Sequence, residues 1–258
     1  MLVIIKKNFE EMSKAAARVV AETLYEKPTS VLGLATGGTP LGLYSELIRM
    51  YKEGLDFSKV TTFNLDEYIG LPPFHPQSYH YFMYENLFKH INLDARYINI
   101  PSGMVDMNDL NKINQYCEWY EQQIVESGGV DLQILGIGAN GHIGFNEPGS
   151  SLGSRTRIKT LTMSTKKDNA RFFDNDITKI PKYAITMGIG TILDSKKILL
   201  LASGKNKANA IKDTAEGPIT AQVPASIVQM HRKAILIVDE DAASSLNNEY
   251  EEVVTNLE

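Results

Sequence analysis

The stretch GIGANGHIGFNEP, residues 136–148, gathers three side chains suited to proton chemistry, Asn140, His142 and Glu147, among four glycines. A neutral imidazole exchanges a proton near pH 7, and a neighbouring amide or carboxylate fixes which ring nitrogen carries it. Gly136, Gly138 and Gly141 also spell G-x-G-x-x-G, the signature of a loop that cradles a dinucleotide pyrophosphate. That reading requires a long helix after the third glycine and an acid roughly twenty residues further on. Instead Gly144, Pro148 and Gly149 break the next segment, and the region beyond holds the basic run TRIKTLT. The stretch reads as a bent catalytic loop, not a nucleotide cradle. With no His-x-x-x-His spacing and no cysteine pair nearby, no metal site is expected there.

Two other stretches carry matching chemistry. ATGGTPLGLY, residues 35–44, follows the apolar run VLGL. Thr36, Gly37, Gly38 and Thr39 can turn successive backbone N–H groups towards one anion. Pro40 suits the first position of a helix and Thr39 its N-cap. A glycine loop running into a helix N-terminus binds phosphate readily; a tight strand–helix turn without ligand is the plainer alternative. No Gly-Lys-Ser/Thr follows, so the loop is not a Walker loop. FNLDEYIGLPP, residues 63–73, sets adjacent carboxylates, Asp66 and Glu67, where another apolar run ends. One of two crowded, partly buried carboxylates takes a raised pKa and can act as a general base. A helix cap or a solvated pair is the alternative.

These loops must be held by the elements around them. Apolar, β-branched runs recur at 31–35, 60–65, 132–137, 198–202 and 234–238, the pattern of strands covered on both faces. Helical spacing alternates with them. In 108–126, Leu110, Ile113, Cys117, Tyr120 and Ile124 fall on one stripe, which makes Cys117 a core residue and not a nucleophile. Asn8 with Glu11 resembles a capping box opening an earlier helix. The alternation predicts an α/β protein: one domain over residues 1–258, an open, mainly parallel, Rossmann-like sheet with helices on both faces. In such sheets ligands bind beyond the carboxyl ends of the strands, where all three loops lie. The polar segment 161–183 interrupts the rhythm and reads as a lid or as solvated surface structure.

Composition narrows the partners. The 258 residues carry a net charge of −5 and no long basic run, which argues against nucleic acid and anionic membrane. A single cysteine leaves no internal disulfide and fits a reducing compartment. The apolar start MLVII meets charge too soon for a signal-peptide core or a membrane span. A cytoplasmic protein acting on a small molecule is expected.

TGGTP (36–40), FNLDEY (63–68), GIGANGHIGFNEP (136–148) and SSLGSRTRIKTLT (150–162), with NARFF (169–173) and SGKNKA (203–208), together resemble the glucosamine-6-phosphate deaminase family. The resemblance implies an enzyme of amino-sugar metabolism and N-acetylglucosamine degradation. It would convert glucosamine 6-phosphate and water to fructose 6-phosphate and ammonia, with no metal or organic cofactor. It assigns proton transfer between C2 and C1 to Asp66. It assigns ring opening to His142 with Glu147, and phosphate binding to the 36–39 loop, Arg171 and Lys207. The pattern departs at Asn140, where well-known members have aspartate two residues before the histidine. Asparagine accepts a hydrogen bond from the imidazole but cannot give an imidazolium a full countercharge. Ser150, Arg157 and Lys159 match part of an effector site found in hexameric members. The tail around Tyr250 is short and acidic, so a monomer or small homo-oligomer without strong activation is expected. Two other readings compete. A 6-phosphogluconolactonase-like hydrolase leaves Asp66 unexplained, and a non-catalytic sugar-phosphate sensor would want a DNA-binding module that no basic helix-turn-helix before residue 31 supplies.

Overall fold

Valine, isoleucine and leucine crowd the five runs read as strands, and each run becomes one. The computed structural model describes residues 1–163, 166, 170 and 173–250. Its strands are β1 (Leu2–Lys6), β2 (Val31–Leu34), β3 (Thr61–Asn64), β4 (Asp66–Tyr68), β5 (Ile98–Asn99), β6 (Leu132–Gly136), β7 (Arg157–Thr160), β8 (Tyr183–Thr186), β9 (Ile198–Ala202) and β10 (Ala234–Asp239). The α-helices are α1 (Phe9–Glu26), α2 (Pro40–Lys52), α3 (Tyr79–Asn86), α4 (Leu110–Glu126), α5 (Ile189–Leu193), α6 (Ala208–Ala215) and α7 (Glu240–Ala243).

Seven strands form one sheet in the order β1-β10-β9-β6-β2-β3-β5, and every pairing in it is parallel. Alternate residues feed two cores, one on each face. Leu135 and Leu200 pack with Tyr120 and Ile124 of α4, Ile192 of α5 and Ile211 of α6. Ile134 and Leu199 pack with Met12 and Leu24 of α1 and with Leu43 and Leu47 of α2. Each such aliphatic side chain contributes about 1.5–3 kcal/mol on burial. The open parallel sheet with helices on both faces is the architecture the alternation predicts.

Local signals are answered residue by residue. Asn8 accepts a hydrogen bond from the Glu11 N–H at 3.0 Å and opens α1. Ile113, Cys117, Tyr120 and Ile124 are all buried, and burial pushes the Cys117 thiol up to about 11, so it is an inert core side chain.

A second sheet, β4-β8-β7, is antiparallel and was not anticipated. Its strands are only three or four residues long, and two of them flank or enter the polar segment that broke the rhythm. Leu65 lies between the sheets: its N–H donates to the Leu34 carbonyl at 3.0 Å, and its carbonyl accepts from the Met187 N–H at 2.7 Å. Part of segment 161–183, Arg171 included, lies outside the described residues. The described part is not merely solvated, because Leu161, Phe173 and Ile180 are buried against Tyr68, Phe145 and Ala184.

Candidate active site

Within the large sheet the chain turns back between β2 and β6, which come from opposite directions of winding. A crevice at such a reversal is where open α/β sheets take their ligands. A cavity of about 430 Å³ occupies it, ample for a small molecule. It is lined by Thr36, Gly37, Gly38 and Thr39 after β2, Asp66 after β3, Gly136, Gly138 and His142 after β6, and Ser203, Asn206 and Lys207 after β9.

The 36–39 loop is shaped as an anion loop. Gly37 has φ +105°, a conformation that favours glycine. Pro40 begins α2, and Thr39 occupies the N-cap position. Its side chain makes no capping hydrogen bond, against the expectation that it would. Tyr44, fully buried, braces the loop from behind by donating its hydroxyl to the Ala35 carbonyl at 2.5 Å. Opposite, a 3-10 turn over Lys205–Lys207 follows Gly204 (φ 90°) and delivers Asn206 and Lys207 to the same cavity.

Asp66 and Glu67, adjacent in the chain, have separate environments. Glu67 lies beneath the start of α3 and accepts from the Tyr68, Tyr79 and His80 N–H groups at 2.8, 2.9 and 3.0 Å and from the Ser78 hydroxyl at 2.9 Å. It is the helix anchor among the alternatives for this pair. Burial raises its pKa and these four donors hold the rise back. Asp66 faces the cavity while remaining only 5% exposed. Burial first, and the Glu67 charge second, raise its pKa to about 8. A carboxylate so raised is a stronger base than an ordinary one. Gly144 makes room for it, since a Cβ there would lie 3.2 Å from Asp66 Oδ2.

The glycine-rich loop after β6 turns back on itself. The Gly138 N–H donates to the His142 carbonyl at 2.9 Å, and the Gly141 N–H to the Gly138 carbonyl at 3.0 Å. The imidazole lies on Gly138: a Cβ at that residue would fall 2.1 Å from His142 Cε1. The glycine thus serves a histidine, not a pyrophosphate. Asn140 Nδ2 donates to Glu147 Oε2 at 2.8 Å, while Asn140 Oδ1 lies 2.6 Å from His142 Nδ1. A carboxylate only accepts, so Glu147 fixes which way the amide faces. The amide oxygen then accepts a hydrogen bond from Nδ1–H, which leaves Nε2 as the basic nitrogen. Glu147 Oε1 is itself 3.6 Å from Nδ1.

The structure therefore brings Asp66, His142, the 36–39 loop and Lys207 to one cavity, with Asn140 and Glu147 behind the imidazole. Ser203, Asn206 and the aromatic wall of Tyr68, Tyr79, Phe145 and Phe173 join them. Ser203 and Asn206 lie in the SGKNKA motif, where a strand-end loop was already the place to look. Tyr79 sits in a short helix with no sequence signal of its own. Among the described residues no group of three or more His, Cys, Asp or Glu is placed to hold a metal ion.

An α/β sheet with a buried carboxylate, an oriented imidazole and two glycine-led loops around a cavity at its switch point has the architecture of an enzyme acting on small molecules. The chain belongs to the family described as glucosamine-6-phosphate isomerases/6-phosphogluconolactonase, whose model matches residues 6–237. A glucosamine-6-phosphate deaminase of Thermoanaerobacter sp. (strain X514) is 54% identical over 250 residues, 96% of each chain. A solved structure of a monomeric glucosamine-6-phosphate deaminase is 49% identical, covers 95% of this chain and 100% of its own, and superposes with a TM-score of 0.90. A 6-phosphogluconolactonase from Trypanosoma cruzi shares the fold at 20% identity, TM-score 0.76, over 96% and 97% of the two chains.

Two predictions follow from these electrostatics. An ordinary aspartate titrates near about 4. With the folded value at about 8, the folded chain keeps a proton that the unfolded chain has lost, so stability falls as pH rises between those values and levels off above them. Asp66→Asn removes that titration, and its advantage in urea midpoint over the parent grows from pH 5 to pH 8; a constant difference would place the buried charge elsewhere. Asn140→Asp sets a carboxylate on the imidazole and favours its protonated form. The limb of the pH–rate profile that reports free imidazole moves to higher pH, and an unmoved limb would mean another group controls it.

Proposed function

We propose that the protein catalyses the isomerising deamination of glucosamine 6-phosphate, taking up water and giving fructose 6-phosphate and ammonia. The observation that carries this reading is Asp66: a buried carboxylate of raised basicity opening into the same cavity as an oriented imidazole and two anion loops. Lactone hydrolysis needs no base for a carbon-bound proton, and the lactonase likeness is one of fold alone. A sensor has no use for such a base either.

The 36–39 loop and Lys207, with Arg171, hold the phosphate and so fix the far end of the sugar. His142 Nε2 takes the proton of the anomeric hydroxyl and returns one to the ring oxygen, opening the ring. Asn140 holds Nδ1–H throughout, and Glu147 holds Asn140. Asp66 then removes the C2 proton and delivers it to C1, while a proton passes from the amino nitrogen to O1. The C2 carbon is left as an imine, which water hydrolyses to the ketone with loss of ammonia. No step calls for a metal or organic cofactor.

Residues 1–258 act as one catalytic unit, with 161–183 as its lid. No helix among the described residues is long and apolar enough to cross a membrane. With the acidic net charge, this supports a cytoplasmic enzyme of amino-sugar breakdown that binds neither membrane nor nucleic acid. The protein is a monomer or small homo-oligomer. Tyr250 supports this, since its hydroxyl donates to Glu216 of the same chain at 3.2 Å.

Ammonia release separates the readings directly: glucosamine 6-phosphate is turned over and its N-acetyl form is not. Asp66→Asn lowers turnover by at least about 10²-fold, the range for loss of a general base, and abolishes exchange of solvent deuterium into the sugar. Exchange at the parental rate would assign the base to another group. Rate curves are hyperbolic, with or without N-acetylglucosamine 6-phosphate. A sigmoidal curve straightened by that compound would restore Ser150, Arg157 and Lys159 as an effector site.

A further inference from the structure

The loop that carries Lys207 is held by a side chain from a distant strand. Asp239 ends β10 and is 5% exposed. Its Oδ2 accepts from the Ser203 hydroxyl. The Gly204 N–H is shared between Oδ1 at 3.0 Å and Oδ2 at 3.2 Å. Oδ1 also caps α7 by accepting from the Ala242 N–H at 2.8 Å. Gly204 in turn accepts from the Lys207 N–H at 3.0 Å through its carbonyl, closing the turn that aims Asn206 and Lys207 into the cavity. Asp239 is absent from the cavity lining. One carboxylate therefore sets the backbone of the loop without facing what the loop binds.

We propose that Asp239 is a positioning residue for the substrate phosphate, holding the 203–207 loop in the shape that presents Ser203, Asn206 and Lys207. This rests on the reading of that loop as half of the phosphate clamp. Gly204 makes the tether consequential. At φ 90° its conformation is one among several open to glycine, and the carboxylate selects it. A negative charge beside a phosphate site would ordinarily repel the ligand. Here it stands behind the loop with its oxygens engaged by three donors, so it shapes the clamp.

The test uses the intact protein with inorganic phosphate and fructose 6-phosphate as probes. Asp239→Asn keeps an oxygen for the α7 cap and turns an amide towards the loop. It raises the inhibition constant of both probes, and KM for glucosamine 6-phosphate, about tenfold, as expected for loss of a charge-assisted hydrogen bond. Its kcat stays within about twofold, because the phosphate is gripped equally before and during reaction. In a Lys207→Ala background the same substitution changes phosphate affinity by less than it does in the parent, since the two act through one loop. A fall in kcat with phosphate affinity unchanged overturns the proposal, and so do effects that multiply fully in the double variant. If Asp239→Asn does not fold, Ser203→Ala cuts one tether, and a phosphate constant unmoved by it overturns the proposal equally. Undiminished phosphate affinity in Lys207→Ala alone overturns the clamp reading itself, with the tether falling as a consequence.

Discussion

A parallel sheet packed on both faces has only its ends left to offer to solvent. Here the strands β9, β6, β2 and β3 stand side by side and point the same way, so four loops leave one edge together. Their backbone N–H groups lack sheet partners there, and the covering helices shield the edge from above and below. Concentrated donors, a polar rim and low dielectric thus coincide without being assembled separately. The 36–39 loop, Asp66, His142 and the 203–207 loop each occupy one of those four exits.

The same enclosure explains how two adjacent acids diverge. Glu67 is buried but surrounded by donors, so its charge is satisfied and serves to start a helix. Asp66 is buried at the cavity wall, with burial and the Glu67 charge both opposing its ionisation. The fold retains this unfavourable group because its basicity rises with its discomfort. On the other side of the cavity a neutral amide supports the imidazole. With Asn140 in that place, the Glu147 carboxylate stands 3.6 Å from Nδ1, so it acts on an imidazolium at longer range than direct contact would allow.

Much of this was legible in the chain. The five apolar runs gave the strands whose ends matter, because two-faced burial leaves a dense hydrophobic signature. Gly138, His142 and the Asp66–Glu67 pair announced themselves by type and position. The alternatives for Glu67 closed only when Ser78, Tyr79 and His80 were seen to converge on it, eleven and more residues away. The short antiparallel sheet left little trace, since strands of three and four residues carry too few alternations to register. β1 was passed over as an apolar start, its edge position hidden until Leu2–Lys6 paired with β10. Asp239 ends a run that the sequence does mark, and the strand-end rule that singled out Asp66 applies to it equally. What the rule cannot say is that its partners lie one strand over.

Leu65 stands between the two hydrogen-bonded sheets, bound to one through its N–H and to the other through its carbonyl. The 36–39 and 203–207 loops leave the large sheet, whereas Asp66 opens the small one. Their placement relative to the carboxylate is therefore tied to one residue, Leu65, at which the two sheets meet. The distance across the cavity is in this way a property of how two sheets are joined, and no side chain in the cavity need set it.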